Sequence, residues 1–285
     1  MKQKKIFVTY GSESFTLQRK HLKNLAINSE LFDDVIAFGP NDLSNNFKAK
    51  YREYLNVYRG GGYWIWKPEI IKMVLNQINE NDLIIYSSAG SSLNKHAKNK
   101  FNEYINLLNQ SEQISLRFSL NNHKERDWTI KEIFNYFNLG LDSKIANSDQ
   151  LIANHFILKK NKISIELFEK FNELLDYNPK LITHHYDKIN QIETFRENRN
   201  DQSIFSVLNK MYGACIIPND ETYFEDGDSR QYNYPFLSVR KRKYTLYQKF
   251  KFYINYNKNM NKPIFFEDSR DFFQKFLYKI FKIKI

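Results

Sequence analysis

The sequence predicts an α/β protein: a mainly parallel central sheet with helices on both faces, followed by a helical C-terminal extension. Three observations carry this. Short β-branched runs alternate with longer segments of helical spacing through the first half of the chain. The strand candidates are apolar throughout rather than alternating, as expected of strands covered on both faces. Small, polar or aromatic residues cluster just after those strands, where open parallel sheets bind ligands.

The elements follow in order. The run "KIFVTY" is a strand ending at Gly11. The segment "SFTLQRKHLKNLAINS" is a helix with Leu17, His21, Leu22 and Leu25 on one face and Ser12 and Ser14 as capping candidates. The run "DDVIAFGP" is a second buried strand stopped by Gly39 and Pro40. The helix "PEIIKMVLNQIN" opens with Pro68 at its first position and presents Ile71, Val74, Leu75 and Ile78. The run "DLIIYSSAGSS" is a third strand, "KHAKNKFNEYINLLNQ" a helix and "QISLRFSL" a fourth strand. Between 125 and 239, four further helices are expected in "TIKEIFNYFN", "SDQLIANHFIL", "SIELFEKFNELLDY" and "DQSIFSVLNKMYG".

Composition narrows the class. The chain has 285 residues, 42% of them hydrophobic, enough for a substantial core. Cys215 is the single cysteine, so no internal disulfide forms, and the bland reading is a buried thiol in a reducing compartment. No signal-peptide core and no apolar run of about 18 residues is present, which predicts a cytoplasmic protein. The net charge of +11 is uneven: residues 240–285 carry 13 Lys/Arg against 3 acids, whereas residues 1–239 are close to neutral. We therefore expect a domain over 1–239 and a basic, aromatic-rich extension over 240–285. In the extension, Phe273, Phe276, Leu277, Ile280 and Phe281 recur at helical spacing opposite Lys275, Lys279 and Lys282. Such a helix suits an anionic membrane surface, placing the protein peripherally on the inner face of the cytoplasmic membrane. Nucleic acid is the weaker partner, because the basic excess stops at the tail and no binding motif accompanies it.

The most unusual stretch is "RGGGYWIWKP" at 59–68. Three consecutive glycines permit close backbone approach and free amides, the adjacent aromatics offer flat faces, and Lys67 before a helix start can face a diphosphate. The competing reading is a tight turn with the tryptophans anchored in the core, at least one of them being core in either case.

About twenty residues later comes "DLIIYSSAG", then "ERDWTIKEIF", "SDQLIANHFILKK" and "ENRNDQSIFSVL". In this order the segments resemble a group of bacterial GT-A-type glycosyltransferases of capsule and lipopolysaccharide synthesis, whose patterns run GGGYWxWKP, YxDAG, WTKxDxF, SxQxxAN and HRHDQSIxSLL. The resemblance spans roughly residues 3–215. It implies a GT-A-like (Rossmann-like) fold and transfer of a sugar from a nucleotide-sugar, UDP-linked by preference, to a hydroxyl of a glycan acceptor. Two departures stand out. The acid of YxDAG, the usual anchor for Mn2+ or Mg2+, is Ser88, and the two histidines of HRHDQS are Asn198 and Asn200. Metal-independent transfer, metal recruited by another acid, and loss of activity with binding retained all stay open.

The resemblance and the strand ends together nominate the site. Thr9, Tyr10, Gly11, Arg19, Arg59, Gly61, Gly62, Tyr63, Trp64, Lys67, Ser87, Ser88 and Gly90 are donor-side candidates. Asp201, at the start of a helix, is the candidate general base or sugar-orienting acid, with helix capping as its plain alternative. Trp128, Gln150, Asn154, Arg199 and Gln202 are acceptor or sugar candidates, Gln150 and Asn154 sharing a helix face by their i, i+4 spacing. No metal ligand set is evident; His184 and His185 are sequence neighbours that point apart.

Overall fold

The computed structural model describes residues 2–224 and 228–239; the extension from 240 onward, with its expected amphipathic helix, lies outside the described residues. Among the described residues, seven strands form one sheet. They are β1 (Lys5–Tyr10), β2 (Asp34–Phe38), β3 (Leu83–Ser87), β5 (Ser115–Lys124), β6 (Asp149–Leu151), β7 (His155–Lys159) and β8 (Ala214–Ile217). A separate ribbon pairs β4 (Ser92–Leu93) with β9 (Phe236–Leu237) antiparallel. The sheet order is β2-β1-β3-β7-β5-β6, with β8 paired to β5. Strands β2, β1, β3, β5 and β8 share one direction; β7 and β6 run against it. The sheet is therefore mainly parallel, as expected.

Helices cover both faces. On one lie α2 (Lys67–Leu75), α5 (Lys162–Tyr177) and α6 (Asp201–Tyr212), which pack Ile70, Val74, Phe168, Phe171, Phe205 and Leu208 against Val8, Ile84 and Phe156, with α4 (Lys131–Tyr136) adding Ile133 and Phe134 to the same cluster. On the other lie α1 (Thr16–Ser29) and α3 (Lys98–Gln110), packing Leu22, Ala26, Phe101, Tyr104 and Leu108 against Phe7, Ile85, Leu116 and Ile157. The alternation of Phe7 and Val8 between the two cores is the strand period of two at work. Each large side chain so buried contributes on the order of 2–3 kcal/mol, which makes these two layers the main support of the fold.

The structure corrects several expectations. The segment "SDQLIANHFIL" is not a helix: it forms β6, a three-residue link and β7. Gln150 and Asn154 thus share no helix face. Strand β7 enters antiparallel between β3 and β5, and its partners, Leu83–Ser87 and Ser115–Leu116, lie far away in sequence. Strand β2 is the sheet edge and half-exposed rather than buried. Leu17, placed on the apolar face of α1, is 71% exposed. Pro68 is the second residue of α2, not the first.

Candidate active site

The glycine-rich stretch builds a left-handed turn. Gly60, Gly61, Gly62, Tyr63 and Trp64 have φ of 61°, 57°, 100°, 54° and 61°. L-residues avoid this region at a cost of roughly 1–2 kcal/mol each, so Tyr63 and Trp64 are held there by their surroundings. A Cβ on Gly61 would stand 2.6 Å from Ser12 Cβ, and one on Gly62 would stand 2.9 Å from the Leu55 Cα.

The expectation of free amides is corrected here. The amides of Gly61, Gly62, Tyr63, Trp64 and Ile65 donate to the carbonyls of Tyr58, Val57, Arg59, Gly60 and Gly62. The turn satisfies itself and anchors the aromatics. Trp66 is buried, stacks on Tyr10 at 3.8 Å between ring centroids, and donates Nε1–H to the Gly60 carbonyl at 3.0 Å. Trp64 is half-buried.

The turn delivers Lys67 into the interior. Its ammonium donates to the Ala153 carbonyl at 2.8 Å, forms an ion pair with Asp201, and lies 5.0 Å from the Tyr86 ring centroid. Lys67 is 2% exposed and Asp201 4%. Facing a diphosphate was the expectation for Lys67; its ammonium is instead engaged by Asp201 and a carbonyl. Burial pushes the Asp201 carboxyl up, opposed by the charges of Lys67 and then Arg117 and by the Gln202 amide. Burial likewise pulls Lys67 down, opposed by Asp201.

Asp201 is the first residue of α6. The residue before it, Asn200, adopts φ 56° and ψ −128°. Asn200 accepts at Oδ1 from Arg59 Nε at 3.4 Å, lies 3.1 Å from His184 Nε2 at the same oxygen, and donates to the Ile182 carbonyl at 2.7 Å. Asn198 donates to the Leu181 and Thr183 carbonyls. The two asparagines therefore hold the loop that aims Asp201, and Arg59 is part of that support.

The link between β6 and β7 joins the remaining candidates. Ser88 donates its amide to the Asn154 carbonyl at 2.9 Å, and the Asn154 amide group reaches Ser238 Oγ at 2.6 Å. Gln202 accepts from the Ala153 amide at 3.3 Å and donates to Gln150 Oε1 at 2.6 Å. Gln150 is fully buried and donates to Glu125 at 2.9 Å. Arg199 stacks its guanidinium 3.8 Å over the Trp128 ring, half-buried at the same end. Ser88 and Gly90 are half-buried in a turn closed by Ser91 donating to the Ser88 carbonyl.

Others stand apart. Ser87 is buried with its hydroxyl 2.9 Å from His155 Nδ1. Thr9 is buried with no hydrogen-bond partner for its hydroxyl among the described residues. Arg19 donates to the Gly11 carbonyl at 3.4 Å and lies across Gly39, whose absent side chain makes room for it.

Sequence reasoning missed two buried charges close to these candidates, Glu125 and Arg117. Glu125 gathers Thr129, Gln150, Ser206 and Lys210, the last at 2.5 Å. Arg117 is fully buried on β5. A charge between Leu116 and Phe118 in the strand candidate "SLRFSL" was the available signal for the second.

No protein-family model matches this chain, and no curated protein matches it in sequence. Among solved structures it is similar to a glycosyltransferase involved in the glycosylation of the major capsid of PBCV-1, at 10% identity and a TM-score of 0.48, covering 82% of this chain and 91% of that one. It is similar to mouse xyloside xylosyltransferase 1, at 11% identity and a TM-score of 0.40, covering 82% and 95%. It is also similar to the galactosyltransferase LgtC in complex with donor and acceptor sugar analogues, at 10% identity and a TM-score of 0.40, covering 93% and 99%.

Proposed function

We propose that this chain is a GT-A-type glycosyltransferase that moves a sugar from a nucleotide-sugar, UDP-linked by preference, to a hydroxyl of a glycan acceptor in surface-polysaccharide assembly. One observation carries the reading. The segments that resemble the glycosyltransferase patterns, 59–68, 86–90, 150–154 and 198–202, meet through Lys67–Asp201, Lys67–Ala153, Ser88–Asn154 and Gln202–Ala153. They meet beyond the ends of β3 and β6, the edge where open α/β sheets bind ligands.

Asp201 is a carboxylate held in place by Lys67 rather than one fed by solvent. That arrangement suits accepting hydrogen bonds from a sugar hydroxyl, with the orientation set before substrate arrives. Gln202, aimed by Gln150, supplies an amide beside it. Trp128, stiffened by Arg199, offers a flat wall to an acceptor ring. The residues present do not fit a metal centre of the usual kind. Ser88 is a poor anchor, Asp201 is engaged by Lys67, and no cluster of three metal-binding side chains occurs among the described residues. The basic extension over 240–285 would bring the protein to an anionic membrane carrying a lipid-linked acceptor. No helix among the described residues is long and apolar enough to cross a membrane.

The test is calorimetric titration with UDP, GDP, CDP and dTDP, each in EDTA and in manganese, followed by assay of nucleotide-sugar hydrolysis. Binding of one nucleotide in both conditions, with turnover, supports the reading. Binding without any turnover favours a non-catalytic carbohydrate-assembly module, to which the serine at position 88 also points. No binding in either condition removes the proposal.

A further inference from the structure

Arg117 is the charge that this reading leaves unused. It is the third residue of β5, fully buried, with its guanidinium carbon 4.1 Å from the Phe205 ring centroid and 5.4 Å from that of Phe156. Its Nη2 donates to the Ile152 carbonyl, while Nε and Nη1 have no hydrogen-bond partner among the described residues. The next carbonyl along, that of Ala153, is held by Lys67. Two buried cations therefore grip consecutive carbonyls of the β6–β7 link, and the positive charge of each favours the ionised form of the Asp201 carboxyl.

A guanidinium with a single hydrogen bond and two aromatic neighbours is a poor stabiliser. Its desolvation is expensive, and an apolar residue of like volume usually serves as well or better. Its retention needs another cause. We infer that Arg117 is a positioning residue for Asp201: it clamps the link at Ile152 and supplies, with Lys67, the second positive charge that keeps the buried carboxylate ionised. Glu125 is the other acid coupled to Arg117, and Lys210 together with Thr129, Gln150 and Ser206 already engages it. Burial pulls the Arg117 guanidinium down to about 9, so it stays charged at neutral pH. The inference rests on Asp201 acting as an ionised, sugar-orienting group.

The test needs no sugar donor. Full-length protein labelled with 13C at aspartate Cγ is titrated by NMR, with the Asp201 signal assigned through D201N. In R117M the Asp201 midpoint should rise by about one pH unit or more, the melting temperature should stay level or increase, and R117K should stay near the wild type. A midpoint unchanged in R117M overturns the inference. R117Q is the second neutral variant; if neither neutral variant folds while R117K does, the positive charge at 117 serves the fold itself rather than the Asp201 carboxyl, and the inference is also overturned. A shifted midpoint without nucleotide binding would sink the transferase reading alone, and nucleotide binding without a shift would sink this inference alone.

Discussion

Lys67 and Asp201, 134 positions apart in the chain, meet as an ion pair with side chains 2% and 6% exposed. The pair ties the end of the glycine-rich turn to the start of α6. Breaking it by K67M leaves a buried carboxylate without its partner, for which removal of one member of such pairs costs roughly 3–5 kcal/mol. We expect K67M to lower the urea midpoint strongly and the double variant K67M/D201L to recover most of the loss. Equal stability of single and double variants, measured by urea unfolding, would show that the pair is not coupled as described.

Gly62 is the least replaceable residue of the turn. At φ +100°, with the Leu55 Cα 2.9 Å from any added Cβ, alanine meets both torsional strain and a backbone collision. A loss of about 2 kcal/mol or more is expected for G62A, read as a fall in melting temperature with a weaker Tyr10–Trp66 near-ultraviolet signal. A melting temperature within a degree of the wild type would contradict the left-handed conformation.

His155 makes stability depend on acid. Burial, aided by the nearby charge of Lys67, pulls its imidazole from 6.5 down to about 3. Between those values the unfolded chain binds a proton that the folded chain refuses. The contribution is therefore complete above pH about 6.5 and is lost as pH falls toward 3, at up to roughly 1.4 kcal/mol per pH unit. Urea unfolding at pH 4, 5, 6 and 7 should give H155Q a flatter acid slope than the wild type, by about one proton. Identical slopes would place the acid sensitivity elsewhere.

Ser88 stands where the resembling enzymes carry an acid. If its place in the turn matches its place in the pattern, S88D should create manganese dependence. UDP affinity in S88D is expected to rise about tenfold when manganese replaces EDTA, with no such change in the wild type. Calorimetry that finds no difference between the two proteins would separate position 88 from the diphosphate.

Sequence reading and structure agree where the signal is local. The runs 5–10 and 83–87 are apolar because both faces are covered, and each is followed by small or polar residues at the strand end. The segment 148–158 misled because Leu151, Ile152, Phe156 and Leu158 fit a helical stripe as readily as a strand. Its true state depends on pairing with β3 and β5, which no local period reports. The same non-local pairing turned Gln150 and Asn154 from helix neighbours into a buried strand residue and a link residue with separate partners.

By itself the sequence determined the α/β class and marked 59–68 and the other short segments that come together at the strand ends. It did so because periodicity, β-branching and glycine runs act on neighbouring residues. Only the tertiary structure decided how the charges are spent: Lys67 goes to Asp201, Ser87 to His155, the glycine amides to their own turn, and Arg117 beneath the β6–β7 link. Burial sets the electrostatic value of a charge, and burial is a property of elements packed together from distant parts of the chain.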